Sequence, residues 1–209
     1  LHLLNETAGI GCDLDVIRMR GWDRTMFYGE TGQPWILPSP NIPTPETALV
    51  YPGGVLLEGT NISEGRGTSR PFELIGAPWI EPREFAGKLS SFGIEGTAFR
   101  PVHFEPAWDK YRGMLCGGVQ IHVTNRKSFR PVRCYALVIA AAAALRPEHF
   151  SWSEPPYEYE FERPPIDVIS GGPRLRESID SGRPLRELFE EWRRDERNFA
   201  RTRRPFLLY

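Results

Sequence analysis

Residues 131–145 constrain the fold more than any other stretch. Pro131 suits a first helical turn, the alanine-rich end has high helix propensity, and the segment is apolar nearly all the way round. A helix of that kind has no face to give to water and must be buried on several sides. Its most apolar part, residues 138–145, is far too short to cross a bilayer, which takes about 20 residues. The rest of the chain is therefore expected to supply a core that buries it. With 209 residues, 40% of them hydrophobic and 25% charged, there is enough apolar material to do so.

The surrounding pattern is mixed. In residues 117–124, Val119, Ile121 and Val123 point one way and Gln120, His122 and Thr124 the other, which predicts a strand. Residues 13–19 also alternate (Leu14, Val16, Ile17, Met19) and predict another. Further strands are expected at 72–79 and 167–170, and extended chain at 97–105 and 151–165. Helices are expected at 45–50, where Thr44 caps and Pro45 opens, at 82–92 with Phe85, Leu89 and Phe92 in helical spacing, and at 174–180. In a last helix at 184–200, Leu185, Leu188, Phe189, Trp192 and Phe199 line one side and charges the other, a solvated face of mixed ion pairs. Pro52-Gly53-Gly54 is expected to end the helix at 45–50. Pro34, Pro38, Pro40, Pro43 and Pro45 make residues 33–45 a stiff, extended loop. The sum is a mixed α/β (α+β) module: a small mixed sheet with flanking helices. No internal linker is evident, so residues 1–209 read as one domain.

The net charge of -1 supplies no field to draw in nucleic acid or an anionic membrane surface. Cys12, Cys116 and Cys134 are too few and too far apart for a disulfide framework, and no CxxC suggests a metal; they read as buried small apolar residues. The chain opens on Leu-His-Leu-Leu without an initiator Met or a basic leader, as expected of a piece that begins within a longer protein.

Chemistry is densest between Glu58 and Thr68. Two carboxylates (Glu58, Glu64), the Asn61 amide, hydroxyls of Thr60, Ser63 and Thr68, and the Arg66 guanidinium follow an apolar run and are framed by Gly59, Gly65 and Gly67. Glycines let a backbone turn sharply and approach a ligand closely. A capped surface turn with a solvated Glu–Arg pair would show the same composition. The run is neither a P-loop nor a dinucleotide fingerprint. Two carboxylates suit acid/base work on a glycosidic bond, one protonated and one ionised. Glu58, following Leu56 and Leu57, is expected to be the desolvated group with a raised pKa. Glu64, two residues from Arg66, is expected to stay charged. Secondary candidates are Gln120 and His122 on the polar strand face, and Asn41 beside Ser39 in the proline loop. Trp35 and Tyr51 are candidates for a sugar-stacking platform or for core. No histidine has metal-ligand spacing, and no metal is expected.

Several blocks, in this order, resemble the exo-β-N-acetylmuramidase family, glycoside hydrolase family 171, long catalogued as a domain of unknown function. They are Trp35-Ile36-Leu37-Pro38-Ser39-Pro40-Asn41-Ile42-Pro43, Tyr51-Pro52-Gly53, the whole of Glu58 to Thr68, Pro71-Phe72-Glu73, Gly76-Ala77-Pro78-Trp79, Cys116 to Thr124, and Phe206-Leu207-Leu208-Tyr209. The resemblance implies an enzyme that releases N-acetylmuramic acid from the non-reducing end of peptidoglycan fragments, without metal or organic cofactor. It implies a C-terminal module that normally packs on a Rossmann-like N-terminal domain. That domain is largely absent here and is expected to supply at least one catalytic carboxylate. Glu58 and Glu64 are then the catalytic candidates within this chain. Asn41, Asn61, Ser63, Arg66, Thr68, Gln120 and His122 are the substrate-binding candidates. The lactyl carboxylate of muramic acid suits a bidentate arginine, so Arg66→Ala is expected to weaken muramyl ligands more than N-acetylglucosaminyl ones. The other readings are a non-catalytic muramyl-binding module and a structural domain. A cell-wall substrate implies a periplasmic or secreted protein, or a cytoplasmic recycling role.

Overall fold

The computed structural model describes all 209 residues, and they divide into two compact units. One combines Leu1–Pro34 with Arg186–Tyr209; the other is Trp35–Leu185. One boundary falls in the proline loop, between Pro34 and Trp35, and the other between Leu185 and Arg186 at the start of the last long helix.

The unit built from the two chain ends contains α1 (His2–Thr7) and most of α7 (Leu185–Arg203). Residues 13–19 form no strand, contrary to the alternation. Alternating residues become a strand only when a neighbour accepts their backbone groups, and here none pairs with them. Ile17 is left in solvent and Cys12 is exposed, so only Cys116 and Cys134 match the expectation of buried thiols. The indole of Trp22 meets the ring of Tyr209 edge-on at 5.1 Å, and the Tyr209 hydroxyl accepts from the Met19 amide.

The unit Trp35–Leu185 is built around α4 (Pro131–Leu145), the helix expected from its apolar sequence. Cys134, Tyr135, Ala136, Val138, Ile139, Ala141 and Ala142 are buried along it. Against it pack α2 (Pro45–Gly54), α3 (Pro82–Ser91) and α6 (Arg174–Asp180). A three-stranded antiparallel sheet, β1 (Leu74–Ala77), β2 (Thr97–Phe104) and β3 (Cys116–Val123), has the order β1-β3-β2. Leu74 lies opposite Gln120, and Thr97 opposite Val123. Val119 and Ile121 face the core, as the alternation predicts.

Two elements differ from expectation for packing reasons. First, α2 runs through Pro52-Gly53-Gly54 instead of stopping there. A Cβ on Gly53 would sit 2.2 Å from the Pro131 carbonyl oxygen, so the missing side chain is what lets α2 lie against α4. Packing thus overrides a local breaker signal. Gly53→Ala is expected to lower stability by about 2 kcal/mol through this clash, read as a lower thermal midpoint. Second, residues 167–169 are helical rather than extended, and Ser170 caps them. The helix is α5 (Pro165–Ile169), opened by Pro165 and pinned where Asp167 accepts both Arg176 bonds, at 2.9 and 2.6 Å. No helix is long and apolar enough to cross a membrane.

Candidate active site

Everything in this site belongs to the unit Trp35–Leu185. The polar loop is nailed down by apolar residues on either side of it. Leu56 and Leu57, in a 3-10 turn at Val55–Gly59, and Ile62 beyond it are all buried. Gly59 touches α5 so closely that a Cβ would meet Ile166 at 2.7 Å. Ser63 exchanges two backbone hydrogen bonds with Gly76 of β1, at 2.8 and 3.0 Å. Between these anchors the polar side chains of the loop are turned to internal use. The Thr60 hydroxyl donates to the Leu57 carbonyl and accepts from the Ile62 amide, the Ser63 hydroxyl accepts from Gly65 N–H, and the Thr68 hydroxyl donates to the Gly65 carbonyl. Gly65 sits at φ 69°, where its reversal carries Glu64 and Arg66 back towards each other.

Arg66 is the centre of the cluster. Its Nε donates to Glu64 Oε1 and its Nη2 to Glu58 Oε1, both at 2.6 Å. The other oxygen of Glu58 accepts from the Tyr157 hydroxyl at 2.8 Å. The other oxygen of Glu64 accepts from Lys110 Nζ at 3.1 Å, and that ammonium also caps the Leu57 and Ile62 carbonyls at 2.7 and 3.2 Å. Asp109 Oδ2 stands 3.5 Å from Arg66 Nε. Three carboxylates thus stand around one guanidinium, with Lys110 and the Tyr157 phenol bonded to the far oxygens of two of them.

The two glutamates exchange the burial expected of them, while Glu64 keeps the charged form expected beside Arg66. The side chain of Glu64 is 1% exposed and that of Glu58 is 18% exposed, so Glu64 is the desolvated group. Burial works against its charge, but Lys110 and the Arg66 hydrogen bond outweigh it and hold its carboxyl below the usual range. Arg66 likewise loses water, and its bond to Glu64 more than compensates, raising its pKa. Burial, reinforced by the bond to Glu58, raises the Tyr157 phenol well above its ordinary value. Leu56 and Leu57 are buried, whereas Glu58 on the same 3-10 turn keeps a partly open carboxylate bonded to Arg66 and Tyr157. Burial also pushes the Cys116 thiol up to about 11 and that of Cys134 up to about 12, which removes both as nucleophiles near neutral pH.

The remaining candidates fare differently. Asn61 is a staple: its Nδ2 donates to the His149 carbonyl at 2.7 Å and its Oδ1 accepts from the Ser151 amide at 3.0 Å. Ser63 and Thr68 shape the loop, as described. Gln120 takes a bond from Arg100 across the sheet, and His122 is exposed on the same face; neither bonds to the Arg66 cluster. The Asn41 amide closes a turn on the Ser39 hydroxyl at 3.3 Å. Trp35 donates to the Ile42 carbonyl, and Tyr51 meets Phe72 edge-on at 5.0 Å, so both aromatics are used in packing.

Sequence reasoning passed over Asp109, Lys110 and Tyr157. The signal available for the first two was Trp108-Asp109-Lys110-Tyr111, a dense charged and aromatic run before Gly113. Tyr157 gave none beyond its place in a tyrosine- and glutamate-rich segment.

Comparison with known proteins bears on this geometry. Residues 49–209 match the family described as exo-beta-N-acetylmuramidase NamZ, C-terminal, and residues 1–46 match its N-terminal counterpart. The peptidoglycan beta-N-acetylmuramidase NamZ of Bacillus subtilis (strain 168) is 39% identical over 207 residues, which are 99% of this chain and 48% of that protein. Among solved structures, a DUF1343 family protein from Bacteroides fragilis NCTC 9343 superposes with a TM-score of 0.86 at 27% identity, over 100% of this chain and 54% of its own. A second protein of that family from the same strain gives 0.55 at 26% identity, over 82% of this chain and 43% of its own. The chain thus spans about half the length of the relatives it matches.

Proposed function

Since this chain belongs to the exo-β-N-acetylmuramidase NamZ family, we propose that it forms the C-terminal part of an exo-acting glycoside hydrolase that removes terminal N-acetylmuramic acid from β-1,4-linked peptidoglycan fragments. The observation that carries the reading is the cluster within the matched segment in which Arg66 bonds Glu58 and Glu64, and Tyr157 and Lys110 bond the far oxygens of those carboxylates. In this reading Glu58, the more open carboxylate, is the group that meets the sugar. Glu64, buried and held ionised, has no proton to give at neutral pH and serves to fix Arg66 and Lys110. Hydrolysis needs a second carboxyl group across the scissile bond, and a Rossmann-like domain outside this chain is its proposed source. A wall-derived substrate would suit a protein of the periplasm or the cell exterior, or one that recycles wall fragments in the cytoplasm.

The test is release of N-acetylmuramic acid from a chromogenic muramide, by this chain and by the longest product of its gene. Turnover by neither overturns the enzyme reading. A second reading, a muramyl-binding module without turnover, draws support from the commitment of both carboxylates to internal cations. Binding with no release in either preparation would favour it.

The geometry also changes what Arg66 is expected to do. Its Nε and Nη2 already serve two glutamates, so it is a brace for carboxylates rather than an open fork for the lactyl group. Arg66→Ala is therefore expected to weaken N-acetylmuramic acid and N-acetylglucosamine binding by the same factor. It should lower turnover about a hundredfold by letting Glu58 swing from its position. Calorimetric titration with both sugars checks this; selective loss of the muramyl sugar would restore the fork.

A further inference from the structure

Resting on the hydrolase reading, we propose that Trp108 is the aromatic platform on which the apolar face of the substrate's pyranose ring stacks. Trp108 is 58% exposed, which is unusual for the largest apolar side chain in a unit with so well filled a core. It is also next to the charged cluster: the Arg66 guanidinium carbon lies 6.0 Å from its ring centroid. Part of the indole thus rests against the group that holds Glu58 and Glu64, and the rest is open to solvent.

The turn that carries Trp108 is held in place by the same cluster. Lys110 reaches the Leu57 and Ile62 carbonyls and Glu64, and Asp109 faces Arg66. Asp109 and Tyr111 both take left-handed backbone conformations, at φ 66° and 57°, which non-glycine residues adopt only when their surroundings impose it. Bonds from Gly113 N–H to the Pro106 carbonyl, 2.9 Å, and from Met114 N–H to the Tyr111 carbonyl, 2.9 Å, close the turn. On the other side Gly67, at φ 76°, comes so near that a Cβ would stand 2.9 Å from the Trp108 amide nitrogen. One residue of the acidic loop is thus bare so that the tryptophan's backbone can come alongside it.

A pyranose presents a face of C–H groups whose natural partner is an extended aromatic surface, while its hydroxyls and acetamido group need polar partners at the edge. An indole beside Arg66, which itself holds Glu58 and faces Asp109, offers both. Trp35 and Tyr51, the aromatics nearest the proline loop in sequence, are half-buried, the one tied to the Ile42 carbonyl and the other set against Phe72, and offer less open ring than Trp108.

Calorimetric titration with the N-acetylmuramyl–N-acetylglucosamine disaccharide tests the platform, using the longest product of the gene and its Trp108→Ala and Trp108→Phe variants. The expected result is about a tenfold loss of affinity in W108A, recovery of most of it in W108F, and thermal midpoints within about two degrees of the parent. In parallel, release of N-acetylmuramic acid should show KM rising with kcat little changed. Unchanged affinity in W108A overturns the inference, as does a loss that W108F does not recover. Failure of the hydrolase reading shows separately, as disaccharide binding by the parent without any turnover.

Discussion

Glu58→Gln is expected to abolish most turnover, lowering kcat for a chromogenic muramide on the order of a thousandfold. Of the two glutamates in the cluster, Glu58 is the one with a path to solvent, and both its oxygens are fixed: one by Arg66 Nη2 at 2.6 Å and one by the Tyr157 hydroxyl at 2.8 Å. An amide keeps the size of the side chain but can neither carry negative charge nor exchange a proton in the reaction. Because the position is partly open, the fold should survive, with a thermal midpoint near that of the parent. A Glu58→Gln variant that turns over at the parent's rate would move the chemistry out of this loop.

The second large effect is on stability. Glu64→Gln is expected to destabilise the unit Trp35–Leu185 by about 3 kcal/mol, measured as a lower urea midpoint at pH 7. The Glu64 side chain is 1% exposed and bonded to Arg66 and Lys110, so the substitution leaves two cations facing a neutral group where water cannot replace the lost partner. The pH dependence follows from the direction of its shift. Its carboxyl is held below the ordinary glutamate value of 4.5, so its contribution is complete above that pH. The contribution drains away as the pH falls through the lower folded-state value. The gap between parent and variant should therefore be widest near neutrality and close in acid. A gap that widens in acid, or no gap at pH 7, would contradict the assigned ion pairs.

What could be read in advance divides along a physical line. The helix at 131–145 was legible from its proline opening and unbroken apolar, alanine-rich run, and the strand at 117–124 from its alternation, with Val119 and Ile121 on the buried face. The alternation at 13–19 was misleading because it describes a strand's two faces and says nothing of a neighbour to pair with. Gly53 looked like a stop signal, yet its purpose lies in Pro131, far along the chain. The same limit governs the site. Glu58, Glu64 and Arg66 are near neighbours in sequence and stood out together. Lys110 and Tyr157 come from 46 and 99 residues away, and no local pattern links them to their carboxylates. Which glutamate is dry depended on the way one 3-10 turn faces, a matter of tertiary packing.

The backing of the acidic loop has a consequence for how this protein acquires its site. Asn61 bonds to the backbone at His149 and Ser151, 88 and 90 residues on, and Ser153 donates to the Glu58 and Thr60 carbonyls, 95 and 93 residues back. Contacts of such high order form only after a long stretch of chain has been brought to closure, so they belong late in the folding sequence. During synthesis the acidic turn leaves the ribosome long before its buttress does. A peptide spanning only residues 55–70 would be a random coil with unpaired charges, and amide exchange at Asn61 and Ser153 should report the opening of the whole unit rather than of a surface loop.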